Sequence, residues 1–248
     1  MRGIITFAVF VAIWWAVTQF CPVPPYMLPS PQSVAAELVA QRNLLFDNTL
    51  VTLAEILLGL LFGTLLGALA ALVMAALPSV QRWLMPVLVL SQAIPVFALA
   101  PLLVLWFGFG MTSKIIMTIL VIFFPVTASL ADGLRLTEPG WLDMAAAMNA
   151  SRFSTLRYVR LPAALPSFAS GLRVATALAP IGAIIGEWVG ASSGLGYVMI
   201  NANARIQTST MFAALFVLCV MAILLFTIVD RALRNLIYWA PDSRRGIS

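Results

Sequence analysis

The sequence predicts an all-α integral membrane protein with about six transmembrane helices. Of its 248 residues, 62% are hydrophobic and only 9% are charged, whereas soluble domains carry roughly 25% charged residues. Long apolar runs alternate with short polar segments, and most of these runs approach the ~20 residues that a membrane-spanning helix needs. Basic residues are concentrated in every second polar segment, as expected of a multi-pass protein.

The apolar runs follow one another without an internal domain boundary. We therefore expect one transmembrane domain, residues 1–248. The first run follows Met1 and Arg2 and has the features of a secretory signal peptide. No small-residue cleavage site follows it, because Gln19 to Pro22 contains large residues and a proline. We therefore expect an uncleaved first span. The six predicted spans cover about residues 4–20, 50–76, 84–107, 115–130, 166–189 and 212–229.

The segment between the first two spans is rich in proline. It predicts an extended stretch followed by a short helix near Pro31 to Arg42, with Ser30 as its N-terminal cap.

The second span carries an acidic residue and a row of glycines. Glu55, Gly59, Gly63 and Gly67 recur every four residues and so share one helix face. Small residues at this spacing allow helices to approach closely in lipid, and we interpret the glycines as packing positions. A carboxylate in an apolar helix needs a partner or a watery cavity, so Glu55 faces such a cavity or pairs with an arginine near the interface.

Later spans are interrupted by helix-breaking residues. Pro86, Pro95 and Pro101 interrupt the third span, and interrupted backbone is tolerated where it is buried in protein or lines a cavity. The fifth span contains Pro180, Gly182 and Gly186, which are expected to loosen the helix. The polar stretch 190–211 then predicts a re-entrant or outer loop with a short helix.

The distribution of basic residues predicts the orientation. With the N-terminus inside, ten of the 14 basic residues lie on the cytoplasmic side, three lie outside and one, Arg173, lies within a span. This bias places both termini in the cytoplasm. The ten are Arg2, Arg82, Arg135, Arg152, Arg157, Arg160, Arg231, Arg234, Arg244 and Arg245, and the three are Arg42, Lys114 and Arg205.

Residue types exclude most enzymatic chemistry in this chain. There is no histidine, and Cys21 and Cys219 suggest neither a disulfide framework nor a metal site. The only lysine, Lys114, lacks the preceding glycine loop that holds ATP phosphates. Gly194-Leu195-Gly196 follows no strand, which argues against dinucleotide binding. Topology explains the basic pI better than nucleic-acid binding does.

The central loop, about residues 137–162, is the longest polar-containing segment. A small-residue block, Asp143 to Met148, favours a helix, and Asn149 to Ser151 suggests a break and a new cap. A second helical turn with Arg152, Arg157 and Arg160 is expected to stop at Pro162. By composition alone, this loop could equally be a simple connection between spans.

The spacing in this loop resembles the EAA loop of permease subunits of binding-protein-dependent ABC importers. That motif reads Glu-Ala-Ala, three residues, Gly, nine residues, Ile, any residue, Leu-Pro. Here Asp143-Met144-Ala145 replaces Glu-Ala-Ala, Asn149 replaces Gly, and Val159 to Pro162 matches the final part. Asparagine tolerates a left-handed turn better than most residues, so we expect the turn to be kept.

The resemblance implies a type I ABC importer permease fold in a bacterial inner membrane. It implies no cofactor in this chain, with ATP and Mg²⁺ bound by partner ATPase subunits, a second permease copy and a periplasmic or lipid-anchored binding protein. It also implies that the loop couples the permease to the ATPase. The alternative is a secondary transporter or channel that uses Glu55 or Glu187. The implied coupling residues are Asp143, Met144, Ala145, Ala146, Asn149, Leu161 and Pro162.

Two further segments narrow the resemblance. Residues 91–110 are similar to a signature of the nitrate, taurine and sulfonate branch, and residues 179–199 to permeases for thiamine pyrimidine precursors. For a planar heterocycle, Gln92, Glu187 and Trp188 would supply hydrogen bonds and a stacking surface beside the break at Pro95. Alternatively, Glu187 and Trp188 lie at the outer interface and Gln92 is a packing contact. Nitrate, taurine, sulfonates and riboflavin remain alternative substrates.

Overall fold

The computed structural model describes residues 2–239, except for the side chains of residues 2–4 and 78. The predicted cytoplasmic residues Arg244 and Arg245 therefore lie outside the described part. Within it, the chain forms eleven α-helices and no strand, which confirms the all-α prediction. The helices are α1 Arg2–Phe20, α2 Pro31–Ala40, α3 Arg42–Ala76, α4 Pro78–Ser91, α5 Val96–Phe107, α6 Met111–Arg135, α7 Pro139–Ala147, α8 Arg152–Thr155, α9 Leu161–Gly190, α10 Leu195–Ala204 and α11 Thr208–Leu236.

Each predicted span overlaps at least one helix of the described part. In the described part, α3, α6, α11 and the continuous segment Arg152–Gly190 are each long and apolar enough to cross a membrane. The pair α4 and α5 forms a fifth span if its two bent halves are taken together, and Ile5–Phe20 is a shorter apolar helix. These helices make the chain a multi-pass membrane protein.

The third predicted span is two helices rather than one. Helices α4 and α5 meet at an angle of 100° across residues 92–95. Pro95 occupies the cap position of α5 in an extended conformation. Because proline cannot donate a backbone hydrogen bond to the preceding turn, the helix ends at this point and restarts after it.

Helix α6 packs against the glycine row of α3. A Cβ atom added at Gly59, Gly63 or Gly67 would collide with Thr118, Ile122 or Val126, respectively. The contacting residue numbers rise together in both helices, so α3 and α6 run parallel. The absence of side chains at these three positions allows the two backbones to approach each other closely.

An adjoining face of α6 packs against α9 in an antiparallel manner, and Thr118 contacts both α3 and α9. Gly171 lies against Ser129, Gly182 against Thr118 and Gly186 against Lys114. The expectation that Gly182 and Gly186 loosen this helix is therefore wrong, because they are close-packing positions. Helix α6 lies between the small-residue faces of α3 and α9, and the larger of the buried apolar clusters joins these two helices to α10 and α11.

The beginning of α9 also differs from the predicted fifth span. Helical structure does not stop at Pro162; a π-helical turn, Leu156–Arg160, leads directly into α9. Pro162 lies in the first turn of α9, directly after this π-helical turn. By contrast, the predicted short helix after the first span is confirmed as α2, with the Ser30 hydroxyl accepting a hydrogen bond from the Ser33 amide.

Candidate functional site

The loop between α6 and α9 contains two short helices joined by a tight turn. The Ala150 N–H donates to the Ala145 carbonyl at 3.0 Å, and the Asn149 N–H donates to the Ala146 carbonyl at 2.9 Å. Asn149 has φ of 51°. This pattern is a Schellman ending with a left-handed residue, the position where glycine is most common. The prediction that asparagine keeps the turn is confirmed.

The second short helix begins immediately after this turn. The Ser151 hydroxyl accepts a hydrogen bond from the Ser154 amide at 3.1 Å, which confirms the predicted new cap. Free backbone groups at the C-terminal end of α7 and at the N-terminal end of α8 are thus both hydrogen-bonded. These bonds fix the path of the chain between the two helices.

Large apolar side chains of this loop point into solvent. Met144, Met148, Phe153 and Tyr158 are between 64% and 74% exposed, and we refer to these four as the loop surface. An exposed apolar patch of this kind usually marks an interaction site.

The predicted coupling residues divide between exposed and buried positions. Asp143, Ala146, Asn149 and Pro162 are exposed beside the loop surface, and Leu161 is half-buried. Ala145 is only 6% exposed. It therefore belongs to the packing of the loop onto its own chain rather than to an accessible surface.

Arg160 connects the second half of the loop to the end of α6. Its Nε and Nη2 atoms donate to the Leu134 carbonyl at 3.1 and 2.8 Å. The Thr137 hydroxyl donates to the same oxygen at 3.3 Å. A cation at the C-terminus of a helix donates to a free carbonyl and interacts favourably with the negative end of the helix dipole. These hydrogen bonds attach the second half of the loop to the end of α6.

A second polar cluster lies at the other end of the bundle, which we call the far end. Lys114 in α6 donates to Oε1 of Glu55 in α3 at 2.6 Å, and both side chains are buried. The partner of Glu55 is therefore a lysine and not the arginine predicted from the sequence. About 21 helical residues at ~1.5 Å each separate Lys114 from Arg135, so the cluster lies roughly one hydrocarbon thickness from the loop.

The cluster also holds the start of α10. The Gly194 amide donates to Asn48 Oδ1 at 2.7 Å, and the Leu195 amide donates to the Thr52 hydroxyl at 2.8 Å. The Gly196 amide donates to Glu187 Oε2, and Thr52 donates to Glu187 Oε1 at 2.6 Å. Three free N–H groups at a helix start are thus satisfied by side chains from α3 and α9.

Comparison with known proteins identifies the family of this chain. Residues 63–237, which make up more than half of the chain, match the family described as binding-protein-dependent transport system inner membrane component. The chain belongs to this family. A probable ABC transporter permease protein from Haemophilus influenzae is 51% identical over 238 residues, covering 96% of this chain and 97% of the relative.

More distant relatives agree with this family. The formylaminopyrimidine transport permease protein ThiX from Halalkalibacterium halodurans is 38% identical over 234 residues, covering 94% of each chain. The solved structure of an inward-facing MetNI methionine ABC transporter shares the fold, with a TM-score of 0.70 at 19% identity over 79% of this chain and 97% of that chain. The chain is therefore an ABC importer permease subunit and not an enzyme. This assignment decides against the alternative of a secondary transporter.

The residues predicted to line a pathway through this permease do not form one cluster. Gln92 and Pro95 are exposed at the break between α4 and α5, and Trp188 is half exposed. Glu187 is 1% exposed, and both of its oxygens accept hydrogen bonds from the same chain. Its burial leaves no carboxylate surface open to a solute in this conformation.

Three residues of the far-end cluster were not singled out as site residues from the sequence. In the sequence, Lys114 is a basic residue outside the predicted spans without a phosphate-binding loop, and Asn48 lies before the predicted second span. Asn48, Thr52 and Glu55 are spaced by four and three residues, so they form a polar stripe on one helix face. This stripe in an otherwise apolar helix is the pattern that could have indicated the cluster.

Proposed function

We propose that the loop surface is the docking site for the ATPase that drives this importer. ATP and Mg²⁺ are bound by that partner, whose closure around ATP moves the loop and turns the pathway outward. The observation that carries this proposal is the exposure of Met144, Met148, Phe153 and Tyr158 on two short helices whose path is fixed by capped ends. Apolar residues on a rigid projection are suited to a groove in a partner.

The proposed docking is tested by charge insertion with a matched control. Ala146 is exposed beside the loop surface, whereas Ala204 is exposed at the end of α10 at the far end. We expect Ala146→Glu to lower co-purification of the ATPase and substrate-stimulated ATP hydrolysis at least tenfold, because a desolvated carboxylate opposes docking. Ala204→Glu should leave both unchanged. Wild-type hydrolysis by the Ala146→Glu complex in proteoliposomes contradicts the docking proposal.

The importer is proposed to contain two copies of this chain and a periplasmic or lipid-anchored binding protein. The loop carries Arg152, Arg157 and Arg160, and Arg82 and Arg135 lie at the same end of the bundle. This bias supports a cytoplasmic loop, cytoplasmic termini and a bacterial inner-membrane location. The far end, with α2 and α10, then faces the binding protein. Protease accessibility of tags in oriented membrane vesicles tests this orientation.

The pathway is proposed to pass the break between α4 and α5. Gln92 and Pro95 are exposed there, and an interrupted helix is tolerated where it borders a cavity or protein. Trp188 offers a half-exposed aromatic surface for stacking. For Glu187 we propose a supporting role, in which the buried carboxylate holds α10 at the mouth of the pathway.

The proposed substrate is a thiamine pyrimidine precursor. Support comes from the relative named for formylaminopyrimidine transport and from residues 179–199. The chain's only lysine is occupied by Glu55, and a neutral heterocycle requires no free cation in the membrane, whereas nitrate, taurine or a sulfonate would favour one. Uptake into proteoliposomes with the binding protein tests this choice. Saturable uptake of labelled hydroxymethylpyrimidine, unaffected by excess taurine, nitrate or riboflavin, is expected; the reverse selectivity overturns it.

A further inference from the structure

An open groove lies at the loop end of the bundle, between the start of α4 and the end of α6. The volume of the groove is about 760 Å³. Its cationic part consists of Arg82 and Arg135, and its apolar part follows α4 through Met85, Pro86, Val89 and Leu90. We propose that this groove binds one anionic phospholipid, with the headgroup phosphate between the two arginines and an acyl chain along α4.

The charges of the groove favour an anion. Arg82 and Arg135 are both exposed, and the ion pairs found among the described residues involve other side chains. Among the described residues, no carboxylate lines the groove; Asp132, one turn before Arg135, is exposed outside it. Two guanidinium groups can bind the oxygens of one phosphate. Gln81, which also lines the groove, provides a further amide donor.

The length of the groove along α4 favours a lipid over a small soluble anion. Trp83, next to Arg82, is 82% exposed, and exposed tryptophan is enriched at the headgroup level of a bilayer. From Arg82 to Leu90, α4 rises ~12 Å, which is most of one hydrocarbon leaflet. Val89 and Leu90 are exposed along this distance. The cationic part of the groove therefore suits a phospholipid headgroup, and the apolar part suits an acyl chain.

Lipid counting by native mass spectrometry tests this site. The transporter, purified through this chain and delipidated, is mixed with micelles of equimolar phosphatidylglycerol and phosphatidylcholine. We expect preferential retention of phosphatidylglycerol. Arg82→Gln/Arg135→Gln should reduce that retention about tenfold, whereas Arg82→Lys/Arg135→Lys should keep most of it. The control is Arg231→Gln, because Arg231 is exposed on α11 near the same end of the bundle.

Four outcomes overturn the proposal. The first is equal retention of both lipids, and the second is unchanged retention in the double glutamine variant. The third is displacement of phosphatidylglycerol by excess inorganic phosphate, which identifies a site for a free anion. The fourth is an interface with a second copy, shown by disulfide-linked dimers of Leu90→Cys after Cys21 and Cys219, both exposed, are replaced by serine.

Discussion

The Nζ atom of Lys114 lies 2.6 Å from Oε1 of Glu55, and the two side chains are only 5% and 0% exposed. The ammonium also lies 3.4 Å from the Ser193 carbonyl. Within the described residues, the second oxygen of Glu55 is buried without a hydrogen-bond partner. The lysine is thus the attachment point at which α3, α6 and the segment before α10 meet.

Removing this lysine should destabilise the protein strongly. We expect Lys114→Met to cost about 3–5 kcal/mol, because it leaves a buried carboxylate without a counter-charge. The double variant Glu55→Gln/Lys114→Met should recover much of this loss, since no unpaired charge remains at the pair. Thermal unfolding in detergent, followed by fluorescence-detected size exclusion, measures the difference.

The matched control is an ion pair with more solvent access. Arg173 in α9 lies 2.7 Å from Asp230 in α11, and Asp230 also pairs with Arg234. Arg173→Met should therefore cost about 1 kcal/mol or less. Equal losses for Lys114→Met and Arg173→Met, or no recovery in the double variant, would contradict a special role for the buried pair.

The glycine row of α3 should tolerate no larger side chain. In Gly59→Leu and Gly63→Leu, the new side chain would overlap Thr118 or Ile122 of α6, and overpacking typically costs about 1–3 kcal/mol. We expect lower yields of assembled transporter. Gly110→Leu is the control, because a Cβ atom there meets no neighbour within 4 Å and the residue lies outside the loop. Normal assembly of both α3 variants would show that this face tolerates separation of the helices.

The spacing of Glu55 and the three glycines predicted one packing face, because a four-residue repeat places residues on one side of a helix. The partner could not be predicted in the same way. Lys114 is 59 residues from Glu55, and only the parallel register of α3 and α6 brings them together. Likewise, the capping role of Glu187 depends on where the fold places the start of α10, and local propensity carries no such information.

Substitution of Glu187 should loosen the far end without disturbing the loop. In Glu187→Gln one of the two oxygens that accept from Thr52 and Gly196 becomes an amide NH₂ group, which cannot accept. Leaving one buried donor without its acceptor costs about 1–3 kcal/mol. We expect deuterium exchange at Gly194 to Val198 to accelerate about tenfold. Exchange in α7 and α8 should remain unchanged.

A second glutamate at the far end provides the control for this measurement. Glu37 in α2 accepts a hydrogen bond from Thr210 in α11 at 2.8 Å, whereas the amides at the start of α10 donate to Asn48, Thr52 and Glu187. Glu37→Gln should leave exchange at Gly194 to Val198 at the wild-type rate. If Glu187→Gln slows uptake while exchange at these residues stays normal, the carboxylate acts on the solute directly and the supporting role is refuted.

The turn at Asn149 should determine whether the loop transmits force. Its φ of 51° is accessible to glycine without strain, whereas a β-branched residue loses roughly 1–2 kcal/mol or more in this conformation. Asn149→Gly should therefore retain substrate-stimulated ATP hydrolysis, and Asn149→Val should lower it several-fold by changing the angle between α7 and α8. The control Ala150→Val adds the same side chain one residue later, at an exposed position without positive φ. If Asn149→Val and Ala150→Val reduce hydrolysis equally, side-chain bulk rather than backbone conformation is responsible. If both hydrolyse ATP at the wild-type rate, the left-handed turn is dispensable for coupling.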